Sequence, residues 1–139
     1  MSMTLELLRS VHATVQRHFI WAPDRETYDK PDHWEGFAAA VRRGDVARGD
    51  CEDFAITCAE LLRDGHGIDP ADLRLVYCHT PRAGHMVLAV DRVIIGDAET
   101  TATVVLDNRQ RAPVEWNHLG YRWISGMRLT EPNVWRSIT

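Results

Sequence analysis

Cysteine is scarce in this chain: three residues in 139, Cys51, Cys58 and Cys78. An odd number with no Cys-x-x-Cys pair argues against both a disulfide framework and a ribbon-type zinc site, so reduced thiols are the expectation. Long apolar runs are missing too. The opening MSMTLELLRSVHATVQRHF has charged or polar residues inside every apolar stretch, which excludes a secretory signal or a membrane span and predicts a cytoplasmic product. There is no excess of positive charge: the formal net charge is -4 with Arg scattered throughout, so neither nucleic acid nor a membrane is an expected partner. Repeats and low-complexity linkers are absent, and Gly and Pro fall singly between periodic segments, which predicts one domain over residues 1–139.

What is present divides into two kinds of periodicity. Leu5, Leu8, Val11, Val15 and Phe19 recur at three- and four-residue steps and predict an amphipathic helix over residues 4–19. The stretch WAPDRETYDKPDHW then breaks the pattern at Pro23 and Pro31, and reads as a loop pinned by Trp21, Tyr28 and Trp34. WEGFAAAVRRGD reads as a short helix. Cys51, Phe54, Ala55, Cys58, Leu61 and Leu62 give the clearest helical stripe, with Asp50 as N-cap, Asp53 three residues on, acids in the first turn and Gly65 as its stop. Beyond it the period changes. LRLVYCHT, HMVLAVD, TATVVLD and YRWISGM are short, rich in β-branched and aromatic residues and bounded by turn formers, so they predict strands. Helices first and strands second predict an α+β domain, with N-terminal helices packed on one side of a mainly antiparallel β-sheet.

Chemistry concentrates at GDCEDFA, residues 49–55. Cys51 stands at a helix start, where unpaired N–H groups and the positive dipole end stabilise a thiolate and an oxyanion. Asp50, Glu52 and Asp53 oppose a thiolate, so a protonated imidazole is needed to offset them. His85 opens the apolar run HMVLAV beside the core, and Asp107 closes the strand TVVLD; antiparallel neighbours bring one strand's end against the other's start. That arrangement offers a nucleophile, a base and an orienting carboxylate. Each residue also has a plain reading: a buried inert thiol, a satisfied core histidine and a turn aspartate. Asp97, ending VIIGD, is a rival orienter. Trp21, Tyr28, Trp34, Trp116 and Trp123 are candidates for lining a cleft, a place that competes with the core.

GDCEDFA, HMVLAV and VLDNR together resemble the motif blocks of the bacterial transglutaminase-like cysteine proteinases of the LapG type, within the papain-like and transglutaminase-like superfamily. PDHW is similar to the aromatic segment that precedes the nucleophile there, and SGMRLTEPNVW to the tail, so the likeness runs from about residue 34 to 135. The resemblance implies a papain-like/transglutaminase-like fold, a thiol peptidase acting on a protein or peptide, and Cys51, His85 and Asp107 as nucleophile, base and orienter. It also implies Asp50 and Glu52 as candidate calcium ligands, whereas the chemistry itself requires no cofactor. Relatives that cut adhesins are exported.

Other readings remain open alongside a cysteine-dependent hydrolase working through an acyl-enzyme. The same triad serves a transglutaminase or a cell-wall peptide amidase, and the fold serves a non-catalytic binding or virion component. Cys51, Cys78, His79 and His85 also have suitable atoms for zinc.

Overall fold

The computed structural model describes residues 3–21, 47–96 and 100–138. The expected short helix at WEGFAAAVRRGD, together with Tyr28, Trp34 and Asp97, lies outside them. Helix α1 spans Leu5–Arg17 and begins at Thr4, whose hydroxyl accepts from the Leu7 N–H. Its buried stripe is Leu8, Val11, His12 and Val15. Phe19, expected on that stripe, instead begins strand β1 (Phe19–Trp21), which pairs in parallel with β2 (Ala47–Gly49). Its ring still reaches the core, edge-on to Phe54 with centroids 5.6 Å apart.

Helix α2 spans Cys51–Glu60 and continues into a π-helical turn, Leu61–Gly65. Gly65 is the last residue of that turn but does not itself take the left-handed conformation. The left-handed residue that ends it is Gly67, at φ 66°, after which the Ile68 N–H returns to the Leu62 carbonyl at 3.0 Å. A positive φ costs glycine nothing, which places the break two residues later than the sequence suggests.

The sheet contains β3 (Leu73–His79), β4 (Gly84–Ile94), β5 (Thr101–Leu106), β6 (Val114–Glu115), β7 (Arg122–Arg128) and β8 (Arg136–Ser137), in the order β6-β5-β4-β3-β7-β8. All of its neighbouring strands are antiparallel. Alternation sorts the side chains. Leu75, Leu88, Val90, Val104 and Leu106 join Leu8, Val15, Phe54, Cys58 and Leu62 in the core beneath the helices. Val76, Cys78, Val87, Ala89 and Val105 form a second cluster on the other face, covered by Leu119, Tyr121, Trp123 and Ile138. The run HMVLAV is apolar at every position because β4 is buried on both faces. Each fully buried Leu or Val there contributes roughly 1.5–3 kcal/mol through burial.

Two local features shape the end of the sheet nearest the start of α2. The β3–β7 register passes from Tyr77↔Ser125 to Cys78↔Trp123, so Ile124 is an extra residue on β7. That bulge turns Trp123 onto the same face as Cys78, where a regular strand would have put Ile124. The second is Gly84, directly before His85: a Cβ there would strike the Tyr77 ring, meeting Oη head-on and Cζ at 3.1 Å. Gly84→Ala is expected to lower the unfolding free energy by about 1–3 kcal/mol, read from urea midpoints at constant slope. A loss below about 0.5 kcal/mol would show that the Tyr77 ring swings aside freely.

Candidate active site

Cys51 is the first residue of α2, and a reciprocal capping box fixes its place. One carboxylate oxygen of Asp50 accepts the N–H groups of Glu52 at 3.1 Å and Asp53 at 3.3 Å, while the Asp53 carboxylate accepts the Asp50 N–H at 3.1 Å. Asp53 is itself buried, and Thr57 donates to its carbonyl at 2.7 Å. The Cys51 side chain is half-buried at the edge of the helix-side core. The Met86 backbone N–H, one residue beyond His85, is near enough to act on the thiol. Burial pushes the Cys51 thiol up to about 12; the Met86 N–H and Arg109 work against that rise, and Glu52 and Asp50 add to it. At neutral pH the sulfur therefore carries its proton until a base removes it.

His85 and Asp107 meet as adjacency of β4 and β5 predicts. Leu88 pairs with Leu106, which leaves Asp107 one residue past its strand and close to the start of β4. The His85 Nε2–H donates to Asp107 Oδ1 at 2.7 Å, and neither side chain is exposed. The other ring nitrogen, Nδ1, is buried without a hydrogen-bond partner. Asp107 Oδ1 also accepts the Arg109 N–H at 2.9 Å, and Oδ2 accepts the Tyr121 hydroxyl at 2.6 Å. Burial alone would raise the Asp107 carboxyl. The bonds from His85, Tyr121 and the Arg109 N–H outweigh it and hold Asp107 below the usual carboxylate range.

Sequence reasoning missed four contributors. His12 donates from Nε2 to the Asp107 carbonyl at 2.9 Å and stands edge-on to Phe54. A polar residue four after Leu8 on an apolar stripe was the available signal. Gln16 donates to the Gln110 carbonyl at 2.6 Å, and the Gln110 amide donates to the Tyr121 hydroxyl at 3.2 Å. Tyr121 carried no local signal, because the Ile124 bulge brings it to this face. Phe19, Phe54, Gln16 and Asn108 line a recess of about 240 Å³ beside these groups.

Other candidates go elsewhere. Cys78 faces away from α2 and donates to the His85 carbonyl at 3.5 Å, whereas His79 is exposed and bonded to the Tyr77 hydroxyl. Cys51, Cys78, His79 and His85 consequently do not form a zinc site: among the described residues no group of three His, Cys, Asp or Glu is placed to hold a metal. Alternation on β3 sends Cys78 and His79 to opposite faces. Trp116 and Trp123 line a groove of about 260 Å³ on the sheet face away from the helices, with Val76, Ala89, Val105 and Ile138. Asp50 and Glu52 flank Cys51, but one Asp50 oxygen is committed to the helix cap.

Over residues 1–139 the chain matches the family model described as bacterial transglutaminase-like cysteine proteinase. No curated protein sequence matches it. Among solved structures, Legionella pneumophila LapG superposes with a TM-score of 0.65 at 22% identity, over 90% of this chain and 66% of LapG. The EGTA-treated form gives 0.67 at 21% identity over 95% and 66%, and the calcium-bound form 0.65 at 22% over 88% and 64%. The chain thus spans just under two thirds of LapG, and the likeness at this identity is one of fold: helices on an antiparallel sheet.

His12 gives the site a measurable pH signature. Burial lowers its pKa below 6.5, outweighing the Asp107 carbonyl and charge, so folding favours the neutral ring. As pH falls through 6.5 the unfolded chain takes up the proton first, and stability declines until the folded form also protonates. In His12→Gln, which keeps a side-chain donor, the decline between pH 7 and 5 is expected to flatten by up to about 1.4 kcal/mol per pH unit. Urea unfolding across that range checks it; parallel slopes in both proteins would exclude His12 as their source.

Proposed function

We propose that this chain, which belongs to the family of bacterial transglutaminase-like cysteine proteinases, cleaves a peptide amide with Cys51 as nucleophile, His85 as base and Asp107 as orienter. One observation supports this reading above the others. His85 gives Nε2–H to a buried carboxylate and keeps Nδ1 unpartnered, and the next N–H along the strand lies near enough to Cys51 to favour its thiolate.

The neutral His85 ring carries its proton on Nε2, so Nδ1 holds the lone pair. In the proposed reaction Nδ1 takes the Cys51 proton as sulfur attacks the carbonyl carbon. Asp107 stays ionised and stabilises the imidazolium. The developing oxyanion is served by the Cys51 N–H. Asp50 takes the N–H groups of Glu52 and Asp53 with its side chain and that of Phe54 with its carbonyl, leaving the Cys51 donor outside the cap. His85 then gives its proton to the departing amine. Water, deprotonated by the same ring, breaks the thioester and restores the thiol. A primary amine in place of water gives transglutamination with no change in these residues.

Alkylation of Cys51 by iodoacetamide near neutral pH, read by mass spectrometry, tests the pairing. His85→Ala is expected to slow it by at least about tenfold, because base assistance of this kind is worth about 10²–10⁴. Casein hydrolysis should be lost in Cys51→Ser and His85→Ala, and labelled putrescine included in the assay reads amine transfer. Equal alkylation rates in wild type and His85→Ala would remove the base from the scheme.

The calcium-bound form of LapG raises the same ion here. Asp50 and Glu52 offer two carboxylates, while calcium takes about six to eight oxygens, and the described residues supply no third acidic ligand in a group with them. They fit as part of a site, so no reaction step runs through calcium. Calorimetric titration with calcium chloride is expected to show one site weakened at least tenfold in Glu52→Gln; an unchanged isotherm would place any bound ion elsewhere.

A further inference from the structure

We infer that Tyr121 is the positioning residue of this site: its hydroxyl clamps Asp107 so that the carboxylate presents one fixed oxygen to His85. This rests on the roles proposed for His85 and Asp107 and adds a part to them.

The hydroxyl has one proton and two neighbours. Gln110 Nε2 donates to it at 3.2 Å, and amide donors cannot accept in return, so the Tyr121 proton goes to Asp107 Oδ2 at 2.6 Å. With Oδ2 held by Tyr121 and Oδ1 held by His85 and the Arg109 N–H, the carboxylate has no rotation left that keeps its bonds. The ring is fixed as firmly as the hydroxyl. It stands edge-on to His85, with centroids 6.0 Å apart at 88°, and to Trp123 at 5.7 Å. Behind Gln110, Gln16 of α1 holds the Gln110 carbonyl at 2.6 Å, so the clamp is tied to the helix layer. The bulge at Ile124 is the backbone feature that delivers Tyr121 to this face.

The consequence is a division of charge. Each donor on Asp107 takes up part of the negative charge that would otherwise face the His85 ring, so Tyr121 and His85 share one carboxylate. The other titratable and charged groups around the pair are His12 from α1, Cys78 from β3 and Arg109 from the turn after β5, with Cys51 of α2 near the Met86 N–H next along β4. None of them bonds Oδ2 in place of Tyr121. Burial and the Asp107 acceptor push the Tyr121 hydroxyl up to about 12, so it remains a donor throughout the neutral range.

NMR of the full chain with isotope-labelled histidine reads the effect without a substrate, His85 being assigned with His85→Gln. In Tyr121→Phe, which retains the ring packing, the His85 titration is expected to move upward by up to about one pH unit. The Nε2–H tautomer is expected to become mixed, with a thermal midpoint within a few degrees of wild type. A His85 titration and tautomer that coincide with wild type would overturn the inference. Failure of the underlying scheme shows separately, as unchanged iodoacetamide alkylation of Cys51 in His85→Ala. Trp123→Phe, which alters the packing behind Tyr121 but leaves its hydroxyl, is expected to leave the His85 titration in place; a shift as large as in Tyr121→Phe would assign the effect to packing and sink the clamp.

Discussion

A carboxylate buried in protein must be surrounded by donors, and Asp107 imposes that requirement on every element near it. Its charge would be expensive to bury unpaired. Three donors meet it: a ring nitrogen from β4, a hydroxyl from the approach to β7 and an amide from its own turn. A fourth, His12 of α1, takes its carbonyl. His12 thereby ties the helix layer to the Asp107 backbone, so the helices cannot slide on the sheet without breaking that bond. The same bonds that make the site tolerable to the fold leave His85 with a single free nitrogen. Structural economy and the proposed chemistry therefore draw on one set of contacts.

The sheet decides where that set can exist. β4 is central and apolar on both faces, so its position is fixed by packing above and below. Residues at its start inherit that precision while lying at the sheet's end. Helix α2 points its first turn at the same end, which brings Cys51 close to the Met86 N–H. The capping box matters here because it holds the first helical residue against fraying, the usual fate of a helix terminus.

Much of this was legible in the chain and some of it could not have been. The Cys51 to Leu62 stripe, the strand runs and the meeting of His85 with Asp107 follow from local period and from pairing of sequential strands. Phe19 looked helical because it continues a three- and four-step pattern, yet its backbone pairs with Ala47, a partner no local window contains. Gly65 looked like a stop because glycine often is, but the π turn absorbed it and Gly67 took the left-handed conformation. Tyr121 was invisible for a deeper reason. Its side of the sheet depends on one residue of β7 that has no partner on β3, and a bulge is a property of the pairing between strands rather than of either strand's sequence.

The acids beside Cys51 pose a conflict for the proposed role: their charge opposes a thiolate. The structure changes its terms. Asp50 and Asp53 are directed at backbone N–H groups of the first turn, where they complement the helix dipole and fix the turn's shape. Burial, more than their charge, is what keeps the Cys51 proton in place. On the proposed reading a standing thiolate is then unnecessary. In that scheme the ion pair forms only while substrate is being attacked, with Asp107 holding the His85 ring so that Nδ1 can receive the proton. A protonated sulfur at rest is also a poor target for adventitious oxidants, which react with thiolates. An arrangement that first looks hostile to catalysis thus suits a nucleophile that is activated by its neighbour at the moment of use.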